Sequence, residues 1–225
     1  MTNMPPNLTS KLRTDIVQAP SAIKAASGIT LFGKKIRSII YTMDVAVIAN
    51  CDADAILAVY PWTPNTRILQ AVATVANVPI LAGIGLTKGL RAATIGAFAE
   101  ESGAQAVVLN APTPIETLIN VNRVVDVPTI YTIVRHMDDL NARIDAGVAA
   151  FNIAGGKETA NLVAEVRAAI DSKHPNFPII ASGGKTDEQI TATIEAGANA
   201  VTFAAYGVTE ATFHAKMEAY RKQKS

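Results

Sequence analysis

The chain has 225 residues, 49% of them hydrophobic and 17% charged, with a formal net charge of +1. That supplies one large core but no reservoir of positive charge for a phosphate backbone, which excludes nucleic acid as the main partner. No run approaches the roughly twenty apolar residues of a membrane span, and Met1-Thr2-Asn3-Met4-Pro5-Pro6 lacks the basic and apolar regions of a secretory leader.

Taken in chain order, residues 1–35 read as an N-terminal extension with a helix around 21–27, placed either to plug one end of the main unit or to contact a partner subunit. Residues 36–225 read as that unit. Eight apolar runs rich in Val and Ile fall at 36–42, 55–60, 78–83, 106–110, 127–134, 149–154, 177–182 and 200–204. Near-continuous apolarity over so few residues is the pattern of parallel strands covered on both faces. Between them lie amphipathic stretches of helical length, such as 67–77, 90–102, 116–125 and 158–173. Strands alternating with helices imply right-handed crossovers and a parallel sheet.

A repeat sharpens this. Gly103-Ala104-Gln105-Ala106-Val107, Gly147-Val148-Ala149-Ala150-Phe151 and Gly197-Ala198-Asn199-Ala200-Val201 share one pattern, with Asp52-Ala53-Asp54-Ala55-Ile56 a degenerate copy. Pro79, Pro128 and Pro178 mark a second strand type that recurs roughly every fifty residues, about two βα units. The fold expected is α/β, a single (β/α)8 TIM barrel with an N-terminal helical extension. Helix starts are marked by Thr63-Pro64 and Thr113-Pro114, and by capping-box patterns at Thr113-x-x-Glu116 and Thr186-x-x-Gln189. Cys51, the one cysteine, falls on the amino face of the barrel and reads as a small buried hydrophobe; a lone thiol fits a reducing, cytoplasmic setting.

Barrel chemistry belongs at the carboxyl ends of the strands. The sharpest motif there is Ala181-Ser182-Gly183-Gly184-Lys185-Thr186, after the seventh strand and opening a capped helix. The amides of Gly183 and Gly184, with Ser182, Lys185 and the helix N-terminus, are expected to hold a phosphate. A bulky residue at Gly184 should block that approach without straining the backbone, provided its native φ is negative. Asn110 and Asn152 end apolar strands, where an amide is costly unless paired, and read as ligand-binding. Arg135 could clamp a second anion, and Gly155, before Gly156-Lys157, lies in another permissive loop. Asp44 is either a general base or the cap of the first helix, Lys88 an enolate stabiliser or a solvated cation, and His136 an acid–base group or a loop histidine. No Cys/His spacing suits a metal, and no cofactor fingerprint is complete.

On residues 177–203, Ile179-Ile180-Ala181-Ser182-Gly183-Gly184 followed by Ile194-Glu195-Ala196-Gly197-Ala198-Asn199-Ala200-Val201 resembles strands seven and eight of the ribulose-phosphate-binding barrel superfamily. The seventh-strand segment is also similar to that of deoxyribose-phosphate aldolase, but the positions of that enzyme's two lysines are not lysine here: the sixth strand reads Phe151-Asn152-Ile153-Ala154, and Ile180 precedes Ala181. At strand eight the resemblance leaves Gly207 and a helix start near Thr209 as the second half of a phosphate cup. It implies a small phosphorylated metabolite, a sugar phosphate, handled by isomerase, epimerase or lyase chemistry. The alternatives are a hydrolase of a phosphorylated or acyl substrate and a catalytically silent barrel that binds a phosphometabolite to regulate a partner. A homodimer is expected, as the commonest soluble assembly.

Overall fold

The computed structural model describes residues 16–59 and 65–222. Eight parallel strands close into a barrel in chain order: β3 (Ser38–Tyr41), β4 (Ala55–Ala58), β5 (Ile80–Gly83), β6 (Ala106–Asn110), β7 (Thr129–Ile133), β8 (Val148–Ile153), β9 (Ile179–Ser182) and β10 (Ala200–Ala204), which pairs back to β3. Seven of the expected apolar runs contain their strand, and β8 is offset from its run by one residue. The helices α1 (Val45–Ala49), α2 (Thr66–Val75), α3 (Gly89–Glu101), α4 (Ile115–Asn122), α5 (Leu140–Asp145), α6 (Thr159–Ile170), α7 (Asp187–Glu195) and α8 (Ala205–Lys222) follow the barrel strands one by one.

The strands point alternate residues inward and outward, and both sets are apolar. Outward residues such as Val107, Ile179 and Val201 are buried against the helices. Inward residues form a separate cluster, with Ala55, Ala106, Ala150 and Ala200 from the even-numbered strands and Ile39, Leu81, Ile130 and Ile180 from the odd. Four side chains from alternate strands per layer is the way such barrels fill. Here small and large sets alternate, so the repeat seen in the sequence is a packing rule.

The extension contributes more than a helix. A 3-10 turn spans Ser21–Ala25, and an antiparallel hairpin, β1 (Ile29–Leu31) with β2 (Lys34–Ile36), follows it. Both residues of its two-residue turn have positive φ, Phe32 at 46° and Gly33 at 77°, as a tight hairpin turn matched to strand twist requires. Leu31 and Ile36 pack into the inward-facing cluster with Ile39, so the hairpin plugs the amino end of the barrel. Val17 bridges to Cys51 on the same face, and burial raises the Cys51 thiol pKa above its usual value.

Hydrogen bonds on this amino floor follow the repeat. Asp54, Gln105 and Asn199 each stand immediately before an inward alanine. Asp54 Oδ2 accepts from the Arg37 and Ser38 amides and the Ser38 hydroxyl, Gln105 Oε1 from the Ile80 amide, and Asn199 Oδ1 from the Ile179 amide. Each ties the start of one strand to its neighbour. Ala149 holds the fourth such position and lies at a register shift between β7 and β8.

One expected helix start is corrected. The Thr113 hydroxyl donates to the Asn110 carbonyl at 2.6 Å rather than capping, and α4 begins after Pro114 without a side-chain cap, so no capping box forms there. Thr63-Pro64 lies outside the described residues; Asn65 caps α2 by accepting from the Arg67 amide. The capping box on Thr186 and Gln189 is present.

Candidate active site

At the carboxyl ends of the strands, opposite the hairpin, the barrel opens into a cavity of about 610 Å³. Its depth is set by the period-two geometry of the strands, which turns Thr132, Asn152, Ser182 and Thr202 inward from β7, β8, β9 and β10. Asn152 Nδ2 donates to Thr132 Oγ1 at 3.1 Å. Asn152 Oδ1 and Thr202 Oγ1 have no hydrogen-bond partner, although the two residues are only 5% and 6% exposed. An orphaned buried polar atom costs about 1–3 kcal/mol, and both residues line this cavity although the two atoms themselves expose almost no surface to it.

Two cations reach the rim. Lys157 projects from the turn Gly156–Glu158 after β8, where Gly156 has φ 65°, and Lys185 from the loop after β9. Among the described residues lining the cavity there is no carboxylate and no histidine. Nor do the described residues contain a group of three or more His, Cys, Asp or Glu able to hold a metal ion. The lining is sorted by chemistry, with lysines at the rim and amides and hydroxyls beneath.

The Gly-Gly segment divides its labour. The Gly183 amide donates to the Thr202 carbonyl at 2.9 Å, and a Cβ on Gly183 would stand 2.5 Å from Val201 Cγ1 and 2.8 Å from Ile190 Cγ1. Gly183 is therefore a glycine for close packing of α7 on the sheet, and its amide is not offered to a ligand as the sequence suggested. Gly184 lines the cavity with φ 81°. That positive φ fails the condition attached to a bulky replacement: any side chain there strains the backbone and would meet Gln189 Oε1 at 2.5 Å. The next two amides are already engaged: Gln189 Oε1 accepts from Lys185 at 2.7 Å and from Thr186 at 3.3 Å. A neutral oxygen of the protein thus sits where the N-terminus of α7 would hold an anion.

Of the residues singled out in the sequence, Asn110, Asn152, Ser182, Gly184 and Lys185 line this cavity. The others lie elsewhere. Asp44 caps α1, its Oδ1 accepting from the Ala46 amide at 2.8 Å and the Val47 amide at 3.3 Å, and it borders a separate hollow with Tyr206 and Glu210. Lys88 is exposed at the start of α3. Arg135 is exposed, and His136, 71% exposed, pairs with Asp138 at 3.0 Å and Glu165 at 3.4 Å, which raises its pKa. Gly155 packs under Leu162 and Thr159. Gly207 falls inside α8, which starts at Ala205 directly after β10, so no glycine loop completes a phosphate cup there. Thr132 and Lys157, named among the polar strand ends without a role, also line the cavity; Thr202 was not singled out, although the inward parity of β10 would have found it.

No family model and no curated protein matches the sequence. Solved structures do. A mandelate oxidase is 15% identical at a TM-score of 0.64, the match covering 89% of this chain and 71% of that one. A phosphonopyruvate hydrolase is 15% identical at 0.62, over 90% and 85%. Dihydrodipicolinate synthase from Agrobacterium tumefaciens is 16% identical at 0.58, over 79% and 72%. Their shared feature with this chain is the barrel, and identities this low carry the fold and not the chemistry.

Proposed function

We propose that this barrel is an enzyme whose mouth binds a small phosphorylated or phosphonate metabolite and acts on it by proton transfer beside a carbonyl, in isomerase, epimerase or lyase chemistry. The observation that carries the reading is the vertical sorting of the cavity: Lys157 and Lys185 at the rim above the orphaned Asn152 Oδ1 and Thr202 Oγ1. The lysines pair with the anion, the Gly184 amide adds a donor, and the amide and hydroxyls beneath fix the organic part. The described lining holds no carboxylate or histidine, so in this reading one lysine keeps the anion and the other, in its neutral form, takes the proton from carbon as an enol-like intermediate forms. Phosphate held after the seventh barrel strand is also what the resemblance to the ribulose-phosphate-binding barrels implies.

Calorimetry with glycerol 3-phosphate tests the binding step. Lys157→Ala and Lys185→Ala should each weaken binding at least tenfold, and rising salt should weaken it in the unaltered protein. Unchanged affinity in both variants overturns the reading. A second reading, a silent binder, is favoured by the absence of carboxylate and histidine among the described lining residues. Small anions released from the purified protein by denaturation can be identified by mass spectrometry and returned to it in D2O. Deuterium entering a carbon position marks the enzyme; a ligand that binds without exchange marks the silent barrel.

A further inference from the structure

The walls of the cavity differ in chemistry. In the closed strand order β4 stands across from β8, and β3 across from β7. Asn152 and Thr132 line the β7–β8 side, whereas Tyr41 ends β3 and Leu57 and Val59 belong to β4 and the residue following it. The apolar side is built. A Cβ on Gly83, the inward residue that ends β5, would stand 2.6 Å from Val59 Cγ2 and 2.9 Å from Val59 Cα. The side chain missing at Gly83 is the space that Val59 occupies, so β5 gives up a lining residue to keep a valine on that wall. Tyr41, 38% exposed, is the register partner of Leu57, 6% exposed, and both line the cavity.

Resting on the anion reading above, we infer that the ligand is an amphipathic phosphate: a monoester whose organic part has an apolar, ring-like face against Tyr41, Leu57 and Val59 and a hydrogen-bonding edge toward Asn152 and Thr202. A chain hydroxylated on every side would press hydroxyls against Leu57 and Val59, where they lose water and gain no partner. A flat ring loses nothing there and gains contact with the Tyr41 ring. The volume of about 610 Å³ admits a ring together with a phosphate.

The test is calorimetry on the full chain with inorganic phosphate, glycerol 3-phosphate and phenyl phosphate. Phenyl phosphate should bind at least tenfold more tightly than glycerol 3-phosphate. Tyr41→Ser should reduce that preference at least threefold. Val59→Thr, nearly isosteric, should reduce it in the same direction, which guards against misfolding of either variant; circular dichroism checks both. Equal affinities for the two esters, or a preference for glycerol 3-phosphate, overturn this inference and leave the anion reading standing. Binding by neither ester overturns both.

Discussion

The two ends of this barrel treat buried polar groups differently, although each holds an orphan: at the floor it is Arg37 Nε. At the amino floor, Asp54, Gln105 and Asn199 spend their side-chain oxygens on the amides that start neighbouring strands. Arg167 adds to this end, donating to the carbonyls of Gly197 and Phe177 and to Asn199 Oδ1. At the carboxyl mouth, Asn152 Oδ1 and Thr202 Oγ1 are buried without partners. A fold gains stability by closing such bonds and gains a binding site by leaving them open. The floor is therefore the end where most such bonds are closed, and the mouth is the end where, on the function proposed above, a ligand closes them.

The contrast can be broken by substitution. The largest expected effect is at the floor: Asp54→Ala removes an acceptor serving three donors and should cost about 3 kcal/mol in denaturant unfolding. Ligand affinity at the mouth should stay the same in the folded fraction. Thr202→Val should do the reverse. Deleting an orphaned hydroxyl with little change of shape should stabilise the fold by about 1 kcal/mol and weaken glycerol 3-phosphate binding about tenfold. A variant that loses both stability and affinity would show that the Thr202 hydroxyl is satisfied within the protein.

Gln189→Ala sharpens the comparison, because Gln189 is a stabilising group placed at the mouth. Losing the capping box should cost about 1 kcal/mol by thermal unfolding. It should also free the Lys185 and Thr186 amides and tighten phosphate binding severalfold in calorimetry. Weaker binding would mean that Gln189 itself contacts the ligand.

The smallest effect concerns His136. Its hydrogen bonds to Asp138 and Glu165 raise its pKa above the ordinary histidine value. A folded-state pKa above the unfolded one means that the contribution to stability is complete at pH below the unfolded value and disappears as pH rises through the folded value. The melting temperatures of the protein and of His136→Ala should differ slightly at acidic pH and converge at alkaline pH. Phosphate affinity should not change, since His136 lies away from the cavity.

How far the molecule could be read beforehand depended on what fixes each side chain. The strands were legible because apolarity on both faces has no other economical explanation over five residues, and the repeat set their number. Strand-end residues such as Asn110, Asn152 and Ser182 were legible too, because a strand's period fixes which way they point. Loop residues were not. Asp44, Lys88, Arg135 and His136 follow the strands, where a few degrees of backbone rotation decide between mouth and solvent, and all four lie outside the cavity. The hairpin went unread because its apolar positions, Ile29, Leu31 and Ile36, are too few to show a period, and Phe32-Gly33 is a weaker turn signal than Asn-Gly. Gly183 was read as a ligand glycine because nothing local reveals that Val201 and Ile190 crowd it.

The hairpin has one more consequence. With Leu31 and Ile36 corking the barrel from below, a molecule that enters at the mouth must leave by the same doorway. On the function proposed above, arrival and departure then share one threshold, and product competes with substrate for it. Turnover would slow in such a vessel as its own output accumulates, long before the supply runs out.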